Sequence, residues 1–223
     1  MDHRLQTAFV LGTVMCTLVP GVDLTEEADT CQTTFHEGNH QNFSSMLKAL
    51  AKCPGNFTEH LTVEEQSEFL GLLQNAADQL KFLRVKACQN VHPKNCSFPQ
   101  IPVNGGLICM THDKTRYCKP MCNQGYDFDF LRRTRLYETC GESNGYSWST
   151  QYIGGNRLAV CSASSTAVSG PASAYFPRLC QDALYNYTEE RRLISVFKEE
   201  LSQLGIDKVK TKTKCLLCGD RHI

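Results

Sequence analysis

The chain has 223 residues, and 23 Lys and Arg are balanced by 23 Asp and Glu, so the formal net charge is zero. That balance supplies no global field to draw nucleic acid or an anionic membrane, and neither is an expected partner. Thirteen cysteines at this length argue against a reducing compartment and for a disulfide framework.

Residues 1–21 read as a secretory signal peptide. Arg4 gives a short positive region, residues 7–19 are an almost unbroken apolar run, and Val19-Pro20-Gly21 suits cleavage near Gly21. The run is too short to cross a hydrocarbon layer, which takes about 20 apolar residues. No other stretch is as apolar, and residues 214–223 lack the tail of a lipid-anchor signal. A soluble mature protein of about 200 residues is expected, enough for one to three small units. Cys16 leaves with the signal, so twelve cysteines remain, an even set that can pair completely. Asn42-Phe-Ser, Asn56-Phe-Thr, Asn95-Cys-Ser and Asn186-Tyr-Thr are four glycosylation sequons, in keeping with export.

Residues 22–92 form a helical segment. Phe69, Leu73, Ala76, Leu80 and Leu83 recur at spacings of four and three along one face, widened by Leu70, Leu72 and Ala77. Thr62 and Glu65 are placed as a capping box at its start. A shorter helix is expected over 43–51, ended by Cys53-Pro54-Gly55. Burial of the long stripe against that shorter helix is the plain expectation. Cys31, Cys53 and Cys88 lie in this segment, an odd number, so one must pair elsewhere.

Residues 93–163 carry the specific pattern: Cys96-Ser-Phe-Pro-Gln-Ile-Pro-Val-Asn-Gly-Gly, then Cys109, Cys118, Cys122-Asn-Gln-Gly-Tyr-Asp-Phe, Tyr137-Glu-Thr-Cys140-Gly, Trp148 and Cys161. Asn104-Gly105 is a turn dipeptide, and Gly125 precedes Tyr126 where a strand begins. This stretch resembles a sushi (complement control protein) module, in the six-cysteine variant of the adhesion proteins that combine sushi, von Willebrand factor type A, EGF and pentraxin domains. The resemblance covers about 66 residues, under a third of the chain. It implies a small β-sandwich with bridges Cys96–Cys140 and Cys122–Cys161 near its ends, an extra Cys109–Cys118 pair, and Trp148 packed between them. The run from Trp148 to Cys161 is longer than the pattern's, and no Pro precedes Cys161, so the last strand and its loop depart from it.

Residues 164–223 complete the chain. The Ser/Ala-rich stretch 162–173 has a linker composition. Leu193, Ile194, Phe197, Leu201 and Leu204 mark an amphipathic helix with Gly205 placed to cap its end. Alternation from Lys208 to Cys215 is strand-like and sets Lys208, Lys210, Lys212 and Lys214 on one face. Their spacing of about 7 Å suits a sulfated glycan, although solvated edge protection is the commoner use of such a stripe. Cys215-Leu-Leu-Cys218 has redox or half-zinc spacing but lacks the helix N-terminus or the further ligands those need. Structural bridges to Cys180 and into the N-terminal segment are expected instead. If the module's six cysteines pair internally, the other six lie three before it and three after. At least one bridge must then cross from the helices to the tail.

The expected fold class is α+β and disulfide-rich. No nucleophile elbow, zincin helix or phosphate loop is present, His36 and His40 flank a glycine, and neither an enzyme nor a cofactor is expected. The expected function is a secreted extracellular binding or adhesion protein for a protein or glycan partner. A soluble complement or immune regulator is the alternative, though such regulators string several modules together. A carrier of a small apolar ligand, held by the N-terminal helices, is a third possibility.

Overall fold

The computed structural model describes residues 37–53, 55, 61–90, 93–206 and 213–219. The expected signal peptide, Cys31, Asn56, Lys208, Lys210 and Lys212 lie outside the described residues. The protein is α+β, with five disulfides among the described residues, and divides into two compact units at residues 71 and 72.

The first unit contains α1 (Glu37–Lys52) and the beginning of α2 (Val63–Gln89). The capping box forms: the Thr62 amide donates to Glu65 Oε2 at 2.8 Å, and the Glu65 amide donates to Thr62 Oγ1 at 3.2 Å. Of the apolar stripe on α2, Phe69 and Leu73 are half-buried, while Leu70, Leu72, Leu80 and Leu83 are exposed. The inward edge is set instead by Lys81, Val85 and Cys88, one helical face at spacings of four and three. Cys88 decides this, because its bridge to Cys215 holds the last turn of α2 in one rotation. Among the described residues Cys53 has no bridge and is exposed; Cys31, the cysteine left for it by the five bridges and the leader-like stretch, lies outside them.

The second unit is built on an antiparallel sheet of order β4-β2-β1-β6. Its strands are β1 (Gly105–His112), β2 (Thr115–Cys122), β4 (Glu138–Cys140) and β6 (Thr213–Cys218), and β3 (Tyr126–Phe128) pairs separately with β5 (Cys161–Ala163). The β1–β2 hairpin aligns Cys109 with Cys118, and β6 lies on the other side of β1 with Cys215 opposite Cys109. β6, from residues 164–223, is thus an edge strand of the same sheet as β1, β2 and β4. β1 is consequently buried on both faces, and its alternation sorts the core into two layers. Ile108 and Met110 face Phe176, α3 (Cys180–Leu184) and α4 (Tyr187–Gln203), which contributes Leu193, Ile194, Phe197 and Leu201. Leu107 and Cys109 face the other way, into a cluster with Trp148, Leu158, Cys88, Cys96, Cys140 and Leu217. A Cβ on Gly106 would stand 2.5 Å from Cys180 Sγ and 2.6 Å from the Leu217 carbonyl, so only glycine lets these layers close.

The bridges are Cys96–Cys140, Cys109–Cys118, Cys122–Cys161, Cys88–Cys215 and Cys180–Cys218. The first three are the pairs implied by the sushi resemblance, and Cys88–Cys215 is a crossing bridge from helix to tail. Cys215 and Cys218 are three apart in a strand, so their side chains serve opposite faces. That geometry sends one to α2 and the other to α3, and rules out a shared site for the pair.

The stretch 162–173 is tied down and is not a free linker. The Asp127 carboxylate accepts hydrogen bonds from the Val168 and Ser169 amides, the Ser169 hydroxyl and the Tyr175 hydroxyl, the last at 2.5 Å. Burial alone pushes the Asp127 carboxyl up, but these donors and the Phe128 amide outweigh it and hold the group at about 2. A folded value below the ordinary 3.8 stabilises the fold above that pH. The contribution is lost as pH falls through the window between 3.8 and about 2. Asp127→Asn is expected to be less stable at pH 6 and to show less further loss down to pH 2 than wild type. Urea midpoints across that range test it, and parallel acid limbs would refute it.

Candidate interaction surface

Two loops leave the same side of the second unit, one between β3 and β4 and one between β4 and β5. The first carries Phe130 and Leu131 and the second Tyr152 and Ile153. The Phe130 and Tyr152 rings meet edge-on with centroids 5.2 Å apart, joining the loops into one apolar prominence. Phe130 is half exposed, Leu131 is 76% exposed and Ile153 is wholly exposed. Gly154 and Gly155 at the tip have φ of 102° and 80°, which lets the chain reverse directly after Ile153. This is the over-long segment between Trp148 and Cys161.

The prominence stands on a rigid base. Glu138 on β4 is completely buried and receives Arg132 Nη1 at 2.9 Å and Arg135 through Nε at 2.8 Å and Nη2 at 2.7 Å. Ser149, at the root of the second loop, donates its hydroxyl to Glu138 Oε2 at 3.0 Å. One carboxylate thus holds both loops. Arg132 also donates to the Leu158 carbonyl at 3.1 Å, and its guanidinium lies over the Phe128 ring. The second loop is closed by the Thr150 hydroxyl donating to the Arg157 carbonyl at 2.6 Å, while the Gln100 amide donates to the Asn156 carbonyl at 2.8 Å. Burial, and after it the Asp129 carboxylate, raise the Tyr152 hydroxyl above its ordinary value, so this ring stays neutral. Exposed Arg133 and Arg157, one on each loop, supply positive charge beside the apolar tips.

A second apolar feature lies within the first unit. Phe43, Met46, Leu47, Leu50 and Phe69 line a groove of about 620 Å³, open to solvent.

The residues singled out from sequence are distributed widely. Trp148 is buried in the β1 layer and donates its indole N–H to the Ser97 carbonyl at 2.8 Å. Gly125 has φ of 85° immediately before β3, which Tyr126 opens. Asn42, Asn95 and Asn186 are exposed, and Asn186 caps α4 by accepting from the Thr188 and Glu189 amides. A glycan on Nδ2 leaves that capping oxygen untouched. Of the lysine stripe only Lys214 is described; it is exposed on β6 opposite Met110. Sequence reasoning missed the Phe130–Tyr152 pair. Its signal was present in Asp-Phe-Leu-Arg-Arg and Tyr-Ile-Gly-Gly, where large apolar residues occupy loops that should be polar.

No protein-family model, curated protein or solved structure matches the chain.

Proposed function

We propose that this chain is a secreted glycoprotein with a sushi-like module over residues 93–163, and that it acts as an extracellular binding protein through the paired apolar loops. The observation that carries the reading is the Phe130–Leu131–Tyr152–Ile153 prominence held by a buried carboxylate. Apolar side chains exposed on a preorganised base lose little entropy on docking, which is how a few residues come to dominate an interface. The matching partner is a protein face with an apolar cleft and an acidic rim to meet Arg133 and Arg157. Export is supported by the leader-like residues 1–21, the sequons and five disulfides. Among the described residues, no helix is long and apolar enough to cross a membrane. The sushi-like reading draws on the three internal bridges and on Trp148 packed beside Cys96 and Cys140. The groove of the first unit ranks second: Phe43 and Met46 on its wall are more than half exposed, whereas small-molecule sites enclose most of their ligand.

The test is saturation binding of labelled mature protein to intact cells and their matrix. Ile153→Glu places a charge where the apolar contact forms and should weaken binding by about thirtyfold, the effect of losing roughly 2 kcal/mol at a hot spot. Its thermal midpoint should match wild type, because the side chain has no packing to lose. Unchanged binding by Ile153→Glu would remove the prominence as the interface.

A further inference from the structure

Among the described residues of the second unit three cationic side chains are buried, and two of them have carboxylates. Lys119 pairs with Glu200 at 2.6 Å, and Arg132 pairs with Glu138 at 2.9 Å. The third, Arg116 on β2, is 1% exposed and has no carboxylate partner among the described residues. Its Nη1 donates to Thr111 Oγ1 at 2.7 Å, its Nε has no partner, and its Nη2 is aimed at a disulfide. That nitrogen is 2.9 Å from Cys88 Sγ and 2.8 Å from Cys215 Sγ. Burial pulls the guanidinium down to about 10, which still leaves it charged at neutral pH.

A disulfide sulfur is a weak acceptor and a poor counterpart for a buried cation. A thiolate in the same place is a full counter-charge. Reduction therefore changes the environment of Arg116 from unpaired to paired, a gain the other four bridges lack. Among the described residues no other bridge has a cation at its sulfurs. Backbone carbonyls lie near Cys161 Sγ, Cys180 Sγ and Cys215 Sγ alike, those of Met121, Leu217 and Cys109, so the cation and not the carbonyls sets this bridge apart.

We propose that Cys88–Cys215 is a thiol-cleavable bridge, opened reversibly by a small extracellular monothiol of the glutathione class ahead of every other bridge in the unit. The incoming thiolate attacks the Sγ of Cys215, the half-buried residue of the pair, and forms a mixed disulfide there. The protein S–S bond breaks, and its electron pair leaves on Cys88 Sγ as a thiolate beside Arg116 Nη2. A second thiol attacks the mixed disulfide, releasing the oxidised small disulfide and a thiol on Cys215. Two small thiols are oxidised, the bridge gains two electrons, and one proton is released while Cys88 remains a thiolate. A leaving thiol with a lowered pKa departs faster, so the cation favours the step kinetically as well as at equilibrium. Opening unties the end of α2, while β6 stays fastened by Cys180–Cys218 and by its ladder to β1.

The experiment equilibrates the full mature protein in a series of reduced and oxidised glutathione mixtures, followed by acid quench, alkylation and peptide mass spectrometry. Cys88 and Cys215 should become alkylated together at a [GSH]²/[GSSG] about tenfold lower than any other described pair, a separation of roughly 30 mV. Arg116→Met should abolish that lead. Reduction of Cys88–Cys215 in step with or after the other bridges overturns the proposal, as does an undiminished lead in Arg116→Met. If that variant does not fold, the wild-type order decides alone.

Discussion

Trp148→Ala should reduce the stability of the second unit by about 3–5 kcal/mol, the usual cost of emptying an aromatic site in a packed core. The indole is 5% exposed and packed in the layer formed by Leu107, Leu158, Cys96 and Cys140. It also satisfies the Ser97 carbonyl, which the variant leaves without that donor. Domains of ordinary stability have about 5–15 kcal/mol in total, so the loss takes a large part of the margin. The yield of folded protein and the thermal midpoint both report it. Trp148→Phe, which keeps most of the volume, should recover a substantial part. A wild-type midpoint in Trp148→Ala would show that this layer is not packed on the indole.

Glu138→Ala should be as damaging by a different route. The carboxylate is completely buried and is the counter-charge to Arg132, which is 3% exposed. Removing one partner of such a pair leaves an uncompensated buried charge and costs about 3–5 kcal/mol. Adding Arg132→Met to Glu138→Ala removes the orphaned cation, so the double variant should be more stable than Glu138→Ala alone. Chemical denaturation of wild type, Glu138→Ala, Arg132→Met and the double variant measures the coupling. A loss below about 1 kcal/mol in Glu138→Ala would mean that water already screens the pair. Because Ser149 shares the same carboxylate, Glu138→Ala should also loosen the apolar loops and weaken partner binding beyond the stability effect.

Local features were legible from sequence wherever a short-range rule governs them. The Thr62–Glu65 capping box, the buried face Leu193, Ile194, Phe197 and Leu201 of α4, and Gly205 at φ of 78° all follow from spacings within one or two turns. Leu204, placed on that same face, is exposed because it lies past the last helical turn, where the chain turns away. What stayed hidden depends on partners far along the chain. The rotation of α2 is set by Cys88 finding Cys215, and periodicity cannot foresee which edge of a broad stripe a disulfide will select. The Ser/Ala stretch reads as a linker because its order comes from Asp127, a single carboxylate about forty residues upstream. Arg116 and Glu138 look like surface charges in sequence, and only the closing of two layers over one sheet buries them. The exposed Phe130 and Ile153 were passed over because each lies in a stretch without periodicity.

The placement of β6 has a consequence for biosynthesis. Cys109 meets Cys118 across a hairpin separation of 9 residues, but it meets Cys215 only 106 residues later. At about 5–20 residues per second, the far edge of β1 stays unpaired for roughly 5–20 s after it is made. An open, apolar strand edge of that kind is a template for wrong pairing. Cys109–Cys118, Cys96–Cys140 and Cys122–Cys161 can close during the delay, while Cys88 and Cys180 must wait as thiols for residues 215 and 218. Oxidation of those two thiols to each other would block both late bridges and leave β6 unfastened. Faithful maturation of the nascent chain therefore rests on keeping two early cysteines apart until the last strand arrives.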